Sequence, residues 1–299
     1  MSALPFLDLR GIRRADVAND ALSGLTVTFM SIPQGVAYAM IAGLPPVMGL
    51  YAACIPAIVG AVFRSSRHVI TGPSNALSLL VGEGLAAQAG LDPIGTALLL
   101  ALLIGGMQVA AGVLRLGVLV DYISLPVVLG YITGAGVLIG VGQLPNLTQT
   151  AGGSGHIINK FGVWGSHLQE ANLMAIAVGA ATAAFIVILR KIDKRIPGPI
   201  LVLVIATVVS WLMGLREMGM ATIADQAPVP TGLPPLTVPD LDGWSAVLSL
   251  AVAGTVLSLV ESSSVARAVS AKTGQRLAVS TEFVGQGLAN VAAAFTGGY

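Results

Sequence analysis

The sequence predicts an all-α integral membrane protein, and three observations carry that reading. Hydrophobic residues make up 55% of the 299 positions and charged residues 10%, with a mean hydropathy of +0.86, far from the composition of a soluble globular domain. The apolar residues gather into nine runs, most of them close to the roughly 20 residues that a helix needs to cross a bilayer core. The basic residues fall between those runs with a strong bias to one side. A net charge of +1 with no basic stripe excludes a nucleic-acid partner. The single cysteine, Cys54, can form no internal disulfide, and it reads as a buried apolar filler.

In chain order, Met1–Asp20 alternates charges with short apolar pieces and lacks a cleavable signal pattern, so it is expected along the inner membrane face. The nine spans are expected near Ala21–Gly43, Val47–Phe63, Pro73–Ala89, Pro93–Leu114, Leu119–Gly142, Asn172–Leu189, Pro197–Gly214, Trp244–Ala266 and Leu277–Gly298. With the N-terminus inside, thirteen of the fifteen lysines and arginines fall on the inner side, and only Lys160 and Arg216 on the outer side. One added or lost early span would destroy that bias. The outer loops Gln143–His167 and Leu215–Asp242 are rich in glycine, serine and proline and are expected to be irregular or extended.

The first span carries Ile32-Pro33-Gln34-Gly35-Val36-Ala37-Tyr38. Pro33 cannot donate to the Phe29 carbonyl and Gly35 loosens the same turn, so the backbone is expected to bend or open there. Gln34 and Tyr38, four apart, share one face of that helix. A polar residue beside a freed carbonyl fits a cavity, and the alternative is an ordinary kink with Gln34 bonded to a neighbouring helix.

The third span is short and begins Gly72-Pro73-Ser74-Asn75. Pro73 suits the first helical position, and Ser74 and Asn75 place polar side chains beside the open backbone donors. Such a start inside lipid is the mark of a discontinuous helix and makes an anion site. Arg64 and Arg67, just before it, are expected to act on orientation and inner-face electrostatics.

In the eighth span Ser258, Glu261 and Ser262 stack on one face. A carboxyl inside a span is costly and marks function, as a proton carrier or cation ligand. The alternative is a salt bridge with Arg267 or a basic loop. Glu282, near the start of the ninth span, reads as a structural polar contact, and Gln108 and Asp121 as interfacial or interhelical hydrogen-bonding groups. Gly130, Gly134, Gly136 and Gly140 give the fifth span a smooth face for helix packing. No phosphate loop, nucleophile elbow or zinc-protease pair is present in the sequence, the three histidines share no spacing, and neither an enzyme nor a cofactor or metal site is expected.

The run MGLYAACIPAIVGAVFRSSRHVITGPSNALSLLVG, together with IPQGVAYAMIAGL, VDYISLPVVLGYITGAGVLIGVGQL and EFVGQGLANVAAAFTGGY, resembles the sulfate permease (SulP) family of anion transporters, which includes the mammalian multifunctional anion exchangers and prestin. The resemblance implies two inverted seven-helix repeats, in which a core domain moves against a gate domain. It places the anion between the half-helix N-termini of the third and tenth spans, lined by the first and eighth. Carried onto this chain, that names Gln34, Tyr38, Ser74, Asn75 and Glu261 as substrate-binding residues, with His68–Thr71 as an extended lead-in. Some members have a carboxylate where Gln34 stands, which takes proton coupling through the first span away from this chain.

The implied organisation is a cytoplasmic segment 1–20, core spans 21–116, gate spans 117–214, an outer proline-rich loop 215–243 and second-repeat core spans 244–299. In the family the pattern continues past Gly297-Gly298-Tyr299 into the tenth half-helix and a STAS domain, so the chain is expected to be a fragment. The expected function is secondary active transport of a small anion of the sulfate, bicarbonate, chloride or dicarboxylate class, coupled to a proton or sodium ion or run as exchange. The expected setting is a plasma membrane or bacterial inner membrane, with a homodimeric full-length protein. An anion channel using the same site, and a nucleobase carrier of the same fold with two carboxylates facing its substrate, are the alternatives.

Overall fold

The computed structural model describes residues 14–88, 90–117, 125–152, 157–192, 198–222, 225, 232–275 and 277–299. The first thirteen residues, Asp121, His156, Pro228 and Pro230, and the basic residues Lys194, Arg195 and Arg276 lie outside them. The helices are α1 (Arg14–Ile41), α2 (Pro46–Phe63), α3 (Asn75–Ala87), α4 (Pro93–Val113), α5 (Leu125–Gly142), α6 (Leu144–Thr148), α7 (Ile157–Ser166), α8 (Leu173–Ile192), α9 (Gly198–Leu212), α10 (Trp244–Thr273) and α11 (Val279–Phe295). Each of the nine expected segments falls on one of them. By length and composition α1, α2, α4, α8 and α10 are suited to cross a membrane. The 13 residues of α3 extend about 20 Å, against a hydrocarbon core of about 30 Å.

The chain divides into two compact units, one formed by the described parts of Gln34–Gly136 and Val229–Tyr299 and the other by those of Ile12–Pro33 and Val137–Pro228. In the first unit α4 is the central helix. Asp92 caps it by accepting the Gly95 N–H at 2.7 Å, with Pro93 at its first position, a standard combination of acceptor and missing donor. Its interior face, including Leu98, Leu99, Leu100 and Ile104, forms a core with Ala39, Ala42, Leu44, Met48, Val81, Val247 and Ala251.

Backbone meets backbone where α4 and α11 cross. A Cβ on Gly105 would lie 2.7 Å from the Gly287 oxygen, and one on Gly287 would lie 2.6 Å from the Gly105 oxygen. A Cβ on Gly35 would likewise come within 2.7 Å of the Gly49 oxygen, so α1 and α2 cross through this glycine pair. Without water to satisfy backbones in lipid, small residues that admit close van der Waals contact are the usual helix-packing device. The glycines expected to do this on α5 meet no helix among the described residues: outside α5's own backbone, no described atom lies within 4 Å of where a Cβ would stand on Gly130, Gly134, Gly136 or Gly140.

Other departures have local causes. The buried positions of α2 are Pro46, Met48, Gly49, Ala52, Pro56 and Gly60, a stripe of helical period. Cys54 falls between them and is exposed, not buried. In the second unit the glycine-rich stretch after α5 is partly helical, because Pro145 starts α6 and Gln149, with φ 53°, ends it. The α7 residue Trp164 then donates its indole N–H to Thr148 Oγ1 at 3.1 Å, while its ring meets Phe161 at a centroid distance of 5.4 Å. Asn172 caps α8 by accepting from Met174 and Ala175. The proline-rich segment of the first unit is extended as expected over 234–240, and Thr237 docks on the end of α11, with its N–H on Phe295 O at 2.9 Å and its hydroxyl on Ala294 O at 2.8 Å.

Candidate functional site

The site lies in the first unit and is built on the start of α3. The helix begins at Asn75, with Ser74 as its cap, so Pro73 precedes the cap instead of occupying the first helical position. Ser74 has extended backbone angles (φ −115°, ψ 150°), and its Oγ accepts the Leu77 N–H at 3.3 Å, the arrangement that makes serine a preferred cap. The same hydroxyl donates to Glu261 Oε2 of α10 at 2.9 Å. Its one hydrogen is thereby committed, and a carboxylate stands at the positive end of the helix dipole, where anions are favoured.

One turn into α3, Ser78 is completely buried and its hydroxyl lies 2.6 Å from the Ser74 carbonyl oxygen and 2.9 Å from the Tyr299 hydroxyl. A carbonyl can only accept, so the single Ser78 hydrogen goes to Ser74 and Tyr299 is the donor to Ser78. Tyr38 is half-buried and within electrostatic reach of both Glu261 and Tyr299. The structure therefore brings together Tyr38, Ser74 and Glu261, with half-buried Asn75 adjacent as the first helical residue. Gln34, one turn before Tyr38, is exposed, and its side chain hydrogen-bonds to no described residue.

Two further polar clusters flank this centre. Gln108 of α4 is fully buried, donating to Ser258 Oγ at 2.8 Å and accepting from Asn290 Nδ2 at 2.7 Å, which is interhelical bonding as the sequence implied. Arg64, expected on the inner surface, is instead buried with Glu282, with Nε 2.7 Å from Oε2 and side-chain exposures of 2% and 0%. Its Nη1 donates to Thr71 at 2.8 Å and Gln286 at 3.1 Å, and its Nη2 to Ser262 at 3.0 Å. The three stacked residues of α10 thus turn to different partners: Ser258 to α4, Glu261 to α3 and Ser262 to Arg64. Sequence reasoning missed Ser78, Tyr299 and the buried state of Arg64. The four-residue spacing of Ser74 and Ser78 was the one available signal. Among the described residues no group of His, Cys, Asp and Glu is arranged to hold a metal ion.

A short helix that begins at polar side chains in the interior of a multi-pass helical membrane protein defines a carrier-type fold with a discontinuous helix. The chain matches the sulfate permease family over residues 17–299 and belongs to it. It is 31% identical over 299 residues to a probable sulfate transporter of Mycobacterium tuberculosis, covering 98% of this chain and 53% of the relative. It is 31% identical over 300 residues to solute carrier family 26 member 6 of Homo sapiens, covering 91% of this chain and 39% of that protein. The fold is similar to murine solute carrier 26 family member A9, an anion transporter in the inward-facing state (TM-score 0.87, 20% identity, 97% and 52% covered). It is also similar to the transmembrane domain of a cyanobacterial bicarbonate transporter, BicA (TM-score 0.84, 22% identity, 96% and 74% covered). The chain spans about half the length of the curated relatives it matches, and those relatives are named as transporters.

Proposed function

We propose that this chain is a membrane part of a secondary active transporter for a small anion of the sulfate, bicarbonate, chloride or dicarboxylate class. The observation that carries the reading is the Ser74–Glu261 hydrogen bond of 2.9 Å at the start of α3. It puts a negative group where helix dipole, cap hydroxyl and open backbone donors favour one. While Glu261 is ionised, it competes with a substrate anion for this end of the helix. A proton or sodium ion on Glu261 removes the competition and releases the Ser74 hydrogen toward the anion, so anion and cation load together. Tyr38 and Asn75 complete the lining, and Gln34, exposed one turn away on α1, orients the anion once it is bound. Core spans 21–116 and 244–299 move against gate spans 117–214 in alternating access. The N-terminus is cytoplasmic, the membrane is a plasma membrane or bacterial inner membrane, and the full-length protein is a homodimer.

The test is uptake by the full-length protein in liposomes, using labelled sulfate, bicarbonate, chloride and a dicarboxylate under imposed proton and sodium gradients. Saturable, gradient-driven uptake of one class is expected, weakened by Ser74→Ala, Gln34→Ala and Glu261→Gln. A large conductance that does not saturate would assign a channel, and unchanged uptake in all three variants would remove the site.

A further inference from the structure

Residues 65–73 connect α2 to the cap of α3, and among the described residues none of them makes a backbone–backbone hydrogen bond. Side chains from elsewhere fix this stretch instead. Glu282 accepts from the Ser65 hydroxyl at 2.9 Å and from the Ser66 N–H, and the Gln275 amide donates to Ser65 O at 2.8 Å. The most connected group is Arg64. One planar guanidinium reaches Glu282 and Gln286 on α11, Thr71 in the connecting stretch and Ser262 on α10.

Thr71 lies three residues before Ser74, and Ser262 adjoins Glu261. The Nη1 arm therefore holds the chain that carries Ser74, while the Nη2 arm holds the helix that carries Glu261. Neutralising Glu282 needs only the Nε contact. The remaining donors are spent on uncharged groups: one on Gln286 of α11, and the others on Thr71 and Ser262, which stand at the two sides of the Ser74–Glu261 contact. A buried ion pair is in general no more stabilising than apolar packing of the same volume, and its better-attested use is to fix a register. Lysine could replace the charge but not the fork, because its ammonium is a compact point charge on a flexible stem.

We propose that Arg64 is a positioning residue for the anion site, setting the separation of Ser74 and Glu261 by holding Thr71 and Ser262 on one rigid guanidinium. The inference rests on the reading of Ser74 and Glu261 as that site. Its test uses the full-length protein in liposomes and whichever of labelled sulfate, bicarbonate, chloride and a dicarboxylate the unaltered protein takes up best. The double variant Thr71→Val with Ser262→Ala keeps the Arg64–Glu282 pair and so keeps the fold. Arg64→Lys is the companion variant.

Both should raise KM for the anion about tenfold, the equivalent of about 1.4 kcal/mol, with a smaller change in Vmax per folded transporter. The double variant should melt close to the unaltered protein. In a Ser74→Ala background the Thr71/Ser262 effect should largely vanish, because coupled residues are not additive. Lower melting temperature with unchanged KM, or a full KM effect that persists without the Ser74 hydroxyl, would overturn the positioning role while leaving the site intact. Unchanged KM in Ser74→Ala alone would overturn the site, and the positioning role with it.

Discussion

Replacing Glu261 by glutamine keeps the shape of the side chain and removes its charge, and the geometry sets how far anion binding should change. A substrate oxygen accepting from the Ser74 hydroxyl would stand about 3 Å from Oγ. Glu261 Oε2 is 2.9 Å from the same atom, so the two negative charges would be at most about 6 Å apart. At an effective dielectric of about 20, their repulsion at that separation is about 3 kcal/mol. With about 1.4 kcal/mol per tenfold in affinity, ionised Glu261 opposes the anion by about two orders of magnitude. Glu261→Gln should therefore tighten anion binding by about 100-fold or more at a pH where the carboxylate is ionised, and by little where it is protonated. The assay is equilibrium binding of the labelled anion to detergent-purified protein across a pH series. A paired liposome measurement should show anion exchange retained and the response to an imposed proton or sodium gradient lost. Weaker or unchanged binding in the glutamine variant under alkaline conditions would refute the competition argument.

Gly287→Ala should lower thermal stability in detergent by the equivalent of about 1–3 kcal/mol, because its Cβ would lie 2.6 Å from both Gly105 O and Val109 N, backbone atoms that no rotamer change can move. An unchanged melting temperature would show that α4 and α11 do not cross there. Tyr299→Phe should cost only about 1 kcal/mol, since the Ser78 hydrogen stays on the Ser74 carbonyl. Ser78→Ala should cost more, because it strips the half-buried Tyr299 hydroxyl of its acceptor and also removes the Ser78 hydroxyl from the Ser74 carbonyl, and the reverse order of melting temperatures would contradict the assigned donor. In the second unit, hydrogen bonds from the Thr222 hydroxyl and N–H, with Arg216 adding a smaller share, hold the exposed Asp225 carboxyl below its ordinary range. A depressed folded value means that the Asp225 contacts with Thr222 and Arg216 are kept above the ordinary carboxylate range and lost only as pH falls through the folded value. Protection of the Thr222 amide, taken relative to the intrinsic exchange rate at each pH, should thus fall only in acid, and loss of protection near neutral pH would count against the assignment.

Much of the fold could be read in the sequence because lipid imposes simple rules on it. Run length located the helices of all nine segments, and the shortness of the third segment with its Gly72-Pro73 start located α3. Where partners decide, the sequence was a poorer guide. Arg64 directly follows an apolar run and counts naturally as an inner loop charge, yet its carboxylate partner is 218 positions away. The pairing of Ser78 with Tyr299 spans 221 positions and depends on how the end of α11 returns to α3. Glycine showed the same limit in both directions. Those of α5 have the spacing of a packing face and meet no other helix among the described residues, while Gly35 and Gly49, in different helices, meet each other. Spacing reports which residues share a face, but not whether another helix covers it.

The buried polar groups around α3 follow from where it begins. A helix that starts in the interior needs a non-helical lead-in at the same depth, and irregular backbone is tolerated there only when it is buried in protein or lines a water-filled cavity. Burying it requires that the chain lie close against its neighbours. Thr71 lies on Gly60 of α2, where a Cβ would stand 2.8 Å from the Thr71 Cβ, and the Arg64 backbone lies on Gly285 of α11, where a Cβ would stand 2.8 Å from the Arg64 nitrogen. The residues after α11 follow the same rule, since a Cβ on Gly298 would come within 3.0 Å of the Ala52 Cα on α2. Arg67, His68, Ile70 and Gly72 of the lead-in are exposed, while Thr71 is buried, and on the inward side its polar atoms are answered by side chains, which is what Arg64, Gln275 and Glu282 do. The Arg64–Glu282 pair, costly as a stabilising device, is thus intelligible as the centre of the side-chain network that fixes the lead-in to α3.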